Sequence, residues 1–135
     1  MKEYPNLITW IVPVRTICET NTSEHWSSRA KRRKQQALIL WYSYKREKQE
    51  IKLPCHITMT RLSPHLLDVD SISSSMKALT DELADILVPE KGGWYVTKAG
   101  QKKRKKGHSD SDSRLSWSYG QEKNKSYAVK VEIRF

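Results

Sequence analysis

The apolar residues of this chain recur with a period that switches along its length, and the order of those switches constrains the fold more than any other feature. Residues 7–16, LITWIVPVRT, are rich in β-branched and aromatic types and predict a first strand. Pro13 lacks an amide hydrogen and belongs at an edge or a strand end. Residues 25–47 place Trp26, Ala30, Ala37, Leu38, Trp41 and Tyr44 (or Leu40 and Tyr44) at helical spacings, with Ser23 as the cap and Trp26 read as core. Residues 51–62 alternate, with Cys55, Ile57 and Met59 on one face and His56, Thr58 and Thr60 on the other. From Ser71 a second helix carries an apolar stripe of Ile72, Met76, Leu79, Leu83 and Leu87. Alternation returns in residues 113–121 and 126–135 around EKNK. This predicts an antiparallel hairpin with Tyr127, Val129, Val131, Ile133 and Phe135 facing inward. The expected fold class is α+β, a small mixed sheet of about four or five strands packed by two helices.

A length of 135 residues predicts a single domain spanning the chain. Against 15 Asp and Glu stand 25 Lys and Arg, and the formal charge of +10 points to a polyanionic partner. Five Trp and six Tyr supply the large buried surfaces that a disordered chain lacks. Cys18 and Cys55 lack CxxC spacing, and His25, His56, His65 and His108 show no HxxxH or His-Cys pattern, which disfavours a zinc enzyme. No GxSxG, P-loop or GxGxxG occurs, so serine hydrolase, NTPase and dinucleotide readings lose their usual support. No apolar run approaches the roughly 20 residues needed to cross a bilayer, and the N-terminus lacks the order of a secretion signal. The expected location is the cytoplasm, with no membrane partner. Residues 89–109 shift to Gly, Ser and charge and read as a flexible basic insert.

In so cationic a chain the acids are informative. Asp68 and Asp70 follow a strand and precede a helix, and in an extended segment residues i and i+2 project to one face. Two converging carboxylates repel unless a cation neutralises them, and hard divalent ions favour oxygen ligands of this kind. The competing reading has one Asp capping the helix and the other solvated. Beyond them Lys77 and Asp81 stand at i and i+4, an ordinary helical salt bridge or part of an acid-and-lysine surface.

The string DVDSISSSMKALTDELADIL resembles the acidic-helix motif of the RusA-like family of Holliday junction resolvases. In that motif Asp, an apolar residue and Asp are followed by Asn, an apolar residue, then a Lys and a further Asp. Asp68, Asp70, Lys77 and Asp81 occupy the matching positions. DSDSRLSWSYGQEKNKSYAVKVEIRF is similar to the region where the family carries a third metal-binding acid before its C-terminal hairpin, generally as Asp-Asp-Ser. Asp112, before Ser113, is the closest match, and Asp110 is the alternative. NTSEHWSSRAKRRKQQ resembles the family's Asn-containing loop and basic first helix. The chain departs from the pattern at Ser71, at Ser111, at Leu66 and Leu67, and in the length of its insert.

The resemblance implies a homodimeric, Mg²⁺-dependent endodeoxyribonuclease, with Mn²⁺ as the alternative ion, that resolves Holliday junctions or related branched DNA. Asp68, Asp70 and Asp112 would bind the metal and Lys77 would stabilise charge on the phosphoryl oxygens. Arg29, Lys31, Arg32, Arg33 and Lys34 on the first helix, and Lys102, Lys103, Arg104, Lys105 and Lys106 in the insert, are the expected phosphate contacts. Trp94 and Tyr95 are candidates for base stacking, and His25 for a helix cap or a phosphate contact. Two other readings compete: a non-catalytic DNA-binding protein on the same scaffold, and an RNA- or ribosome-associated basic protein suggested by charge alone.

Overall fold

The computed structural model describes residues 4–18, 25–47, 49–89, 93–105 and 109–135, with the backbone alone at 93–95 and 102–105. Strand β1 (Leu7–Val12) ends just before Pro13, as the missing amide demands. Helix α1 (Trp26–Glu47) and strand β2 (Cys55–Ser63) follow. Two helices, α2 (Val69–Ser75) and α3 (Lys77–Leu87), precede a pair of short strands, β3 (Gly93–Val96) and β4 (Lys102–Lys105). A 3-10 turn (Ser109–Ser111) leads to β5 (Leu115–Lys123) and β6 (Ala128–Arg134).

Four strands make one mixed sheet in the order β1-β6-β2-β5. Strand β6 runs antiparallel to both β1 and β2, whereas β2 and β5 are parallel. Pairing registers align Ile8, Ile133, Ile57 and Trp117 in one row across the inner face; Trp10, Val131, Met59 and Tyr119 in the next; and Val12, Val129, Arg61 and Gln121 in the third. The first three columns are buried, and the β5 column is only partly covered. Fully burying a side chain of Val, Ile or Met size contributes about 1.5–3 kcal/mol, so the β6 and β2 columns dominate the core. The opposite face carries Leu7, Thr9 and Ile11 beside Lys130, Glu132 and Arg134, then His56, Thr58 and Thr60, then Ser116 and Ser118. His56 shares hydrogen bonds with Ser116 (2.7 Å) and Ser118 (2.8 Å) there.

The α+β class and the mixed four-stranded sheet agree with the sequence reading, but three helices stand where two were expected. The break falls at Met76 (φ −108°, ψ 13°), inside a continuous apolar stripe whose five members are all buried. Its cause is local. Ser74 Oγ donates to the Ser71 carbonyl (3.1 Å) and Ser75 Oγ to the Ile72 carbonyl (2.6 Å), while the Met76 amide takes the carbonyl of Ser73 at 3.1 Å. Serine hydroxyls that compete for carbonyls disturb the α-helical ladder, and i to i−3 bonds tighten the last turn.

The expected C-terminal hairpin is a second correction. β5 and β6 are adjacent in sequence but not in the sheet, because β2 lies between them and pairs with both. The inward face of β6 is nevertheless as expected, with Val129, Val131 and Ile133 fully buried. Residues 89–109, expected to be a flexible basic insert, include described strands. Within this span β3 and β4 pair as an antiparallel two-stranded sheet closed by a turn at Gly100, whose φ of 81° suits glycine. A third correction is Trp26, which is 75% exposed at the start of α1 rather than in the core. The helix instead buries Gln36, Ala37, Leu40 and Ser43, and Trp10 Nε1 donates to Ser43 Oγ at 3.1 Å to join β1 to it. Ser23 lies outside the described residues; His25 precedes α1 and its Nδ1 accepts the Ser27 amide at 3.2 Å, as a cap does. Among the described residues no helix is long and apolar enough to cross a membrane.

Candidate functional site

Asp68 is the residue before α2, with extended backbone (φ −60°, ψ 147°), and Asp70 already lies in the first helical turn. The chain therefore turns between them, and the common face expected of an extended pair is lost, since residues two apart on a helix diverge. Capping does not use the Asp68 carboxylate either: the Asp68 carbonyl accepts the Ser71 amide at 2.9 Å, and its side chain makes no cap bond. Both acids are exposed, and neither carboxylate is engaged by a described residue.

The break at Met76 makes Lys77 the first residue of α3. Its Nζ lies 3.0 Å from Asp81 Oδ1, the expected i to i+4 pair, and 3.0 Å from Asp110 Oδ2 in the 3-10 turn. Partial burial pulls the Lys77 pKa down, but hydrogen bonds to Asp110 and Asp81 and their charges together hold it above the ordinary lysine value. The ammonium is thus charged at neutral pH and remains half-exposed. Tyr119 borders the cluster: burial raises its pKa, against the opposing effects of a Thr80 hydrogen bond and the Lys77 charge, so it stays a neutral phenol.

Asp112, the expected third ligand, has a different role. It is buried, and Arg114 holds it through Nε to Oδ1 at 3.0 Å and through a second guanidinium nitrogen to Oδ2 at 3.1 Å, with the Arg114 amide on Oδ1 at 2.9 Å. A bidentate guanidinium and a backbone amide leave this carboxylate committed to its own turn. Asp110 is the acid of this segment that meets Lys77. Among the described residues no three His, Cys, Asp or Glu side chains gather as a metal-holding group, so Asp68, Asp70 and Asp112 do not form the expected triad.

Three residues that the sequence reading passed over hold these segments together, all from alternate positions of β5. Trp117 Nε1 donates to the Asp110 carbonyl at 3.0 Å. Tyr119 and Thr80 of α3 share a hydrogen bond of 3.0 Å. Gln121 Oε1 accepts the Leu67 amide at 2.9 Å, and its Nε2 donates to the Leu67 carbonyl at 2.7 Å. Further along the same loop, Arg61 donates to the His65 carbonyl (2.9 Å) and to the hydroxyl and carbonyl oxygens of Thr16 (3.1 and 3.2 Å). Strand alternation in SWSYGQ was the available signal, but nothing local announces the partners.

Of the basic residues on α1, Lys31, Arg33 and Lys34 are exposed and Arg29 and Arg32 are half-buried; Arg29, Arg32 and Arg33 each have a partner in the fold. Lys102, Lys103, Arg104 and Lys105 form the backbone of β4, where Arg104 pairs with Trp94 and Lys103 with Tyr95; Lys106 lies outside the described residues. As to a metal, Mg²⁺ keeps several waters and is commonly held by one or two carboxylates plus substrate phosphate. The uncommitted oxygens of Asp68 and Asp70 fit that chemistry; the Asp112 carboxylate, bound to Arg114, does not. No family model, curated protein or solved structure matches the chain.

Proposed function

We propose that this chain is a RusA-like, Mg²⁺-dependent endodeoxyribonuclease that cuts Holliday junctions or related branched DNA. The observation that carries the reading is the 3.0 Å contact between Lys77 and Asp110, which joins the two acidic motifs across 33 residues of sequence. Asp68 and Asp70 would hold Mg²⁺ or Mn²⁺, which when bound polarises the scissile phosphate and lowers the pKa of water. Lys77 presents a fixed cation to the phosphoryl oxygens, where negative charge grows in the transition state. Asp81 and Asp110 orient that ammonium and keep it protonated. Asp110, rather than Asp112, would be the acid of the second motif that serves the site, acting on Lys77 and not as a third ligand beside Asp68 and Asp70. Lys31, Arg33 and Lys34 offer phosphate contacts that add affinity without base specificity and weaken with salt. A two-fold homodimer would present one such centre to each of the paired strands of a symmetric junction.

A second reading, DNA binding without cleavage, is favoured by the lack of a three-acid cluster among the described residues. A synthetic four-way junction separates the two. Symmetric nicks with Mg²⁺, none with EDTA, and binding without cutting by Asp70→Asn support the nuclease. Tight junction binding by the unaltered chain with no cutting in Mg²⁺ or Mn²⁺ supports the second reading, and a preference for RNA over branched DNA contradicts both.

A further inference from the structure

We propose that Gln121 is a positioning residue of this site: its amide fixes the backbone from which Asp68 and Asp70 project. The inference rests on the nuclease reading and adds a determinant of metal binding to it. The loop between β2 and α2 belongs to neither a strand nor a helix, so its peptide groups need partners from elsewhere. Those partners are side chains. The His65 amide donates to Ser63 Oγ at 3.2 Å and its carbonyl accepts from Arg61. Leu67, the residue directly before Asp68, has both its amide and its carbonyl satisfied by Gln121.

The two ends of one carboxamide thus read one residue's donor and acceptor, which fixes the orientation of the Gln121 amide as well as that of the peptide. The Asp68 and Asp70 carboxylates make no hydrogen bond or ion pair among the described residues, so their aim is inherited from the backbone on which they sit. The same strand governs the opposite side of the site two and four residues earlier, through Tyr119 on Thr80 and Trp117 on the Asp110 carbonyl. Gln121 therefore sets the Asp68–Asp70 segment relative to the segment that carries Asp110. Supporting groups of this kind commonly alter metal affinity by about 10–100-fold when removed, and a misplacement near 1 Å can cost about 10²-fold in rate.

The test measures Mn²⁺ binding to the full chain by electron paramagnetic resonance, alongside single-turnover cleavage of a four-way junction. Gln121→Ala is expected to weaken Mn²⁺ binding by roughly tenfold or more and to slow cleavage, with junction affinity in EDTA unchanged. Glu122→Ala, the neighbouring outward position, is the control and should match the unaltered chain. Gln121→Glu keeps an acceptor for the Leu67 amide but opposes a carboxylate to the Leu67 carbonyl, and should also weaken Mn²⁺ binding. Unchanged Mn²⁺ binding in a folded Gln121→Ala overturns the positioning role while leaving the nuclease reading standing if the unaltered chain cuts. Failure of both Gln121 variants to fold overturns it too, because the residue is then structural. An unaltered chain that neither binds Mn²⁺ nor cuts overturns both.

Discussion

The two acidic segments of the site are built in opposite ways. At the head of α2, Asp68 and Asp70 are exposed and unengaged, and order there comes from a backbone held by Gln121 and Arg61. In the 3-10 segment and the residues after it, the acids are themselves the fasteners: Asp112 is buried against Arg114 and Asp110 is paired with Lys77. A carboxylate used to close a turn is spent on the fold, whereas one left in solvent at no structural gain is available to a cation or a phosphate-bearing ligand. The difference separates Asp68 and Asp70 from Asp110 and Asp112, and within the second segment the partners differ: Asp112 closes its own turn with Arg114, whereas Asp110 reaches Lys77 of α3.

The sharpest way to break this contrast is Asp70→Asn. It should reduce junction cleavage by about 10²–10³-fold or more, the scale seen when a main electrostatic group is removed from an active site, while changing stability by no more than about 0.5 kcal/mol. A large loss of stability, measured by urea unfolding, would put Asp70 among the fasteners. Asp112→Ala should do the reverse, destabilising the chain by about 1–3 kcal/mol as Arg114 and a backbone amide lose their acceptor, with cleavage retained where the protein stays folded.

Alkaline titration adds a smaller effect. Burial pushes the Cys55 thiol from 9.0 up to about 11, and Lys77 also lies above its ordinary value. Both folded pKa values are raised, so the native state holds these protons longer than the unfolded chain does. Stability linked to them is full below the unfolded values and falls as pH rises from about 9 through 11. Cys55→Ala should flatten the lower part of that decline in unfolding midpoints measured against pH. The smallest effect belongs to Asp81→Asn, since an exposed i to i+4 pair contributes about 0.3–0.5 kcal/mol. A loss well above that in a thermal melt would show that the Lys77 cluster is structural as a whole.

What the sequence made legible follows the range of the forces involved. β-Branched and aromatic content located β1, period-two alternation located β2 and the inner face of β6, and a 3.6-residue stripe located the buried side of α2 and α3, the two periodic patterns each reflecting burial of one face. The break at Met76 was hidden because the stripe runs through it unbroken, and only the serine hydroxyls reveal the competition. EKNK suggested a hairpin on local grounds, yet β2 takes the place between β5 and β6, a choice made by contacts some 60 residues apart. For the site, the identity of the acids and of Lys77 was readable, and the i to i+4 pair with Asp81 was found as expected. Which acid of the second segment meets Lys77 was not, because it depends on Arg114 curling back two residues onto Asp112. Gln121 could not be read at all, since its partner lies 54 residues away.

In the proposed nuclease, Asp70 and Asp110 serve one centre. A cycle of single-turnover cleavage rates for the unaltered chain, Asp70→Asn, Asp110→Asn and the double variant tests this most directly, because groups that act as a unit are strongly non-additive. Each single variant is expected to lose most of the activity, and the double variant to be little worse than Asp70→Asn alone. Full activity in Asp110→Asn, or losses that simply multiply, would contradict a shared centre.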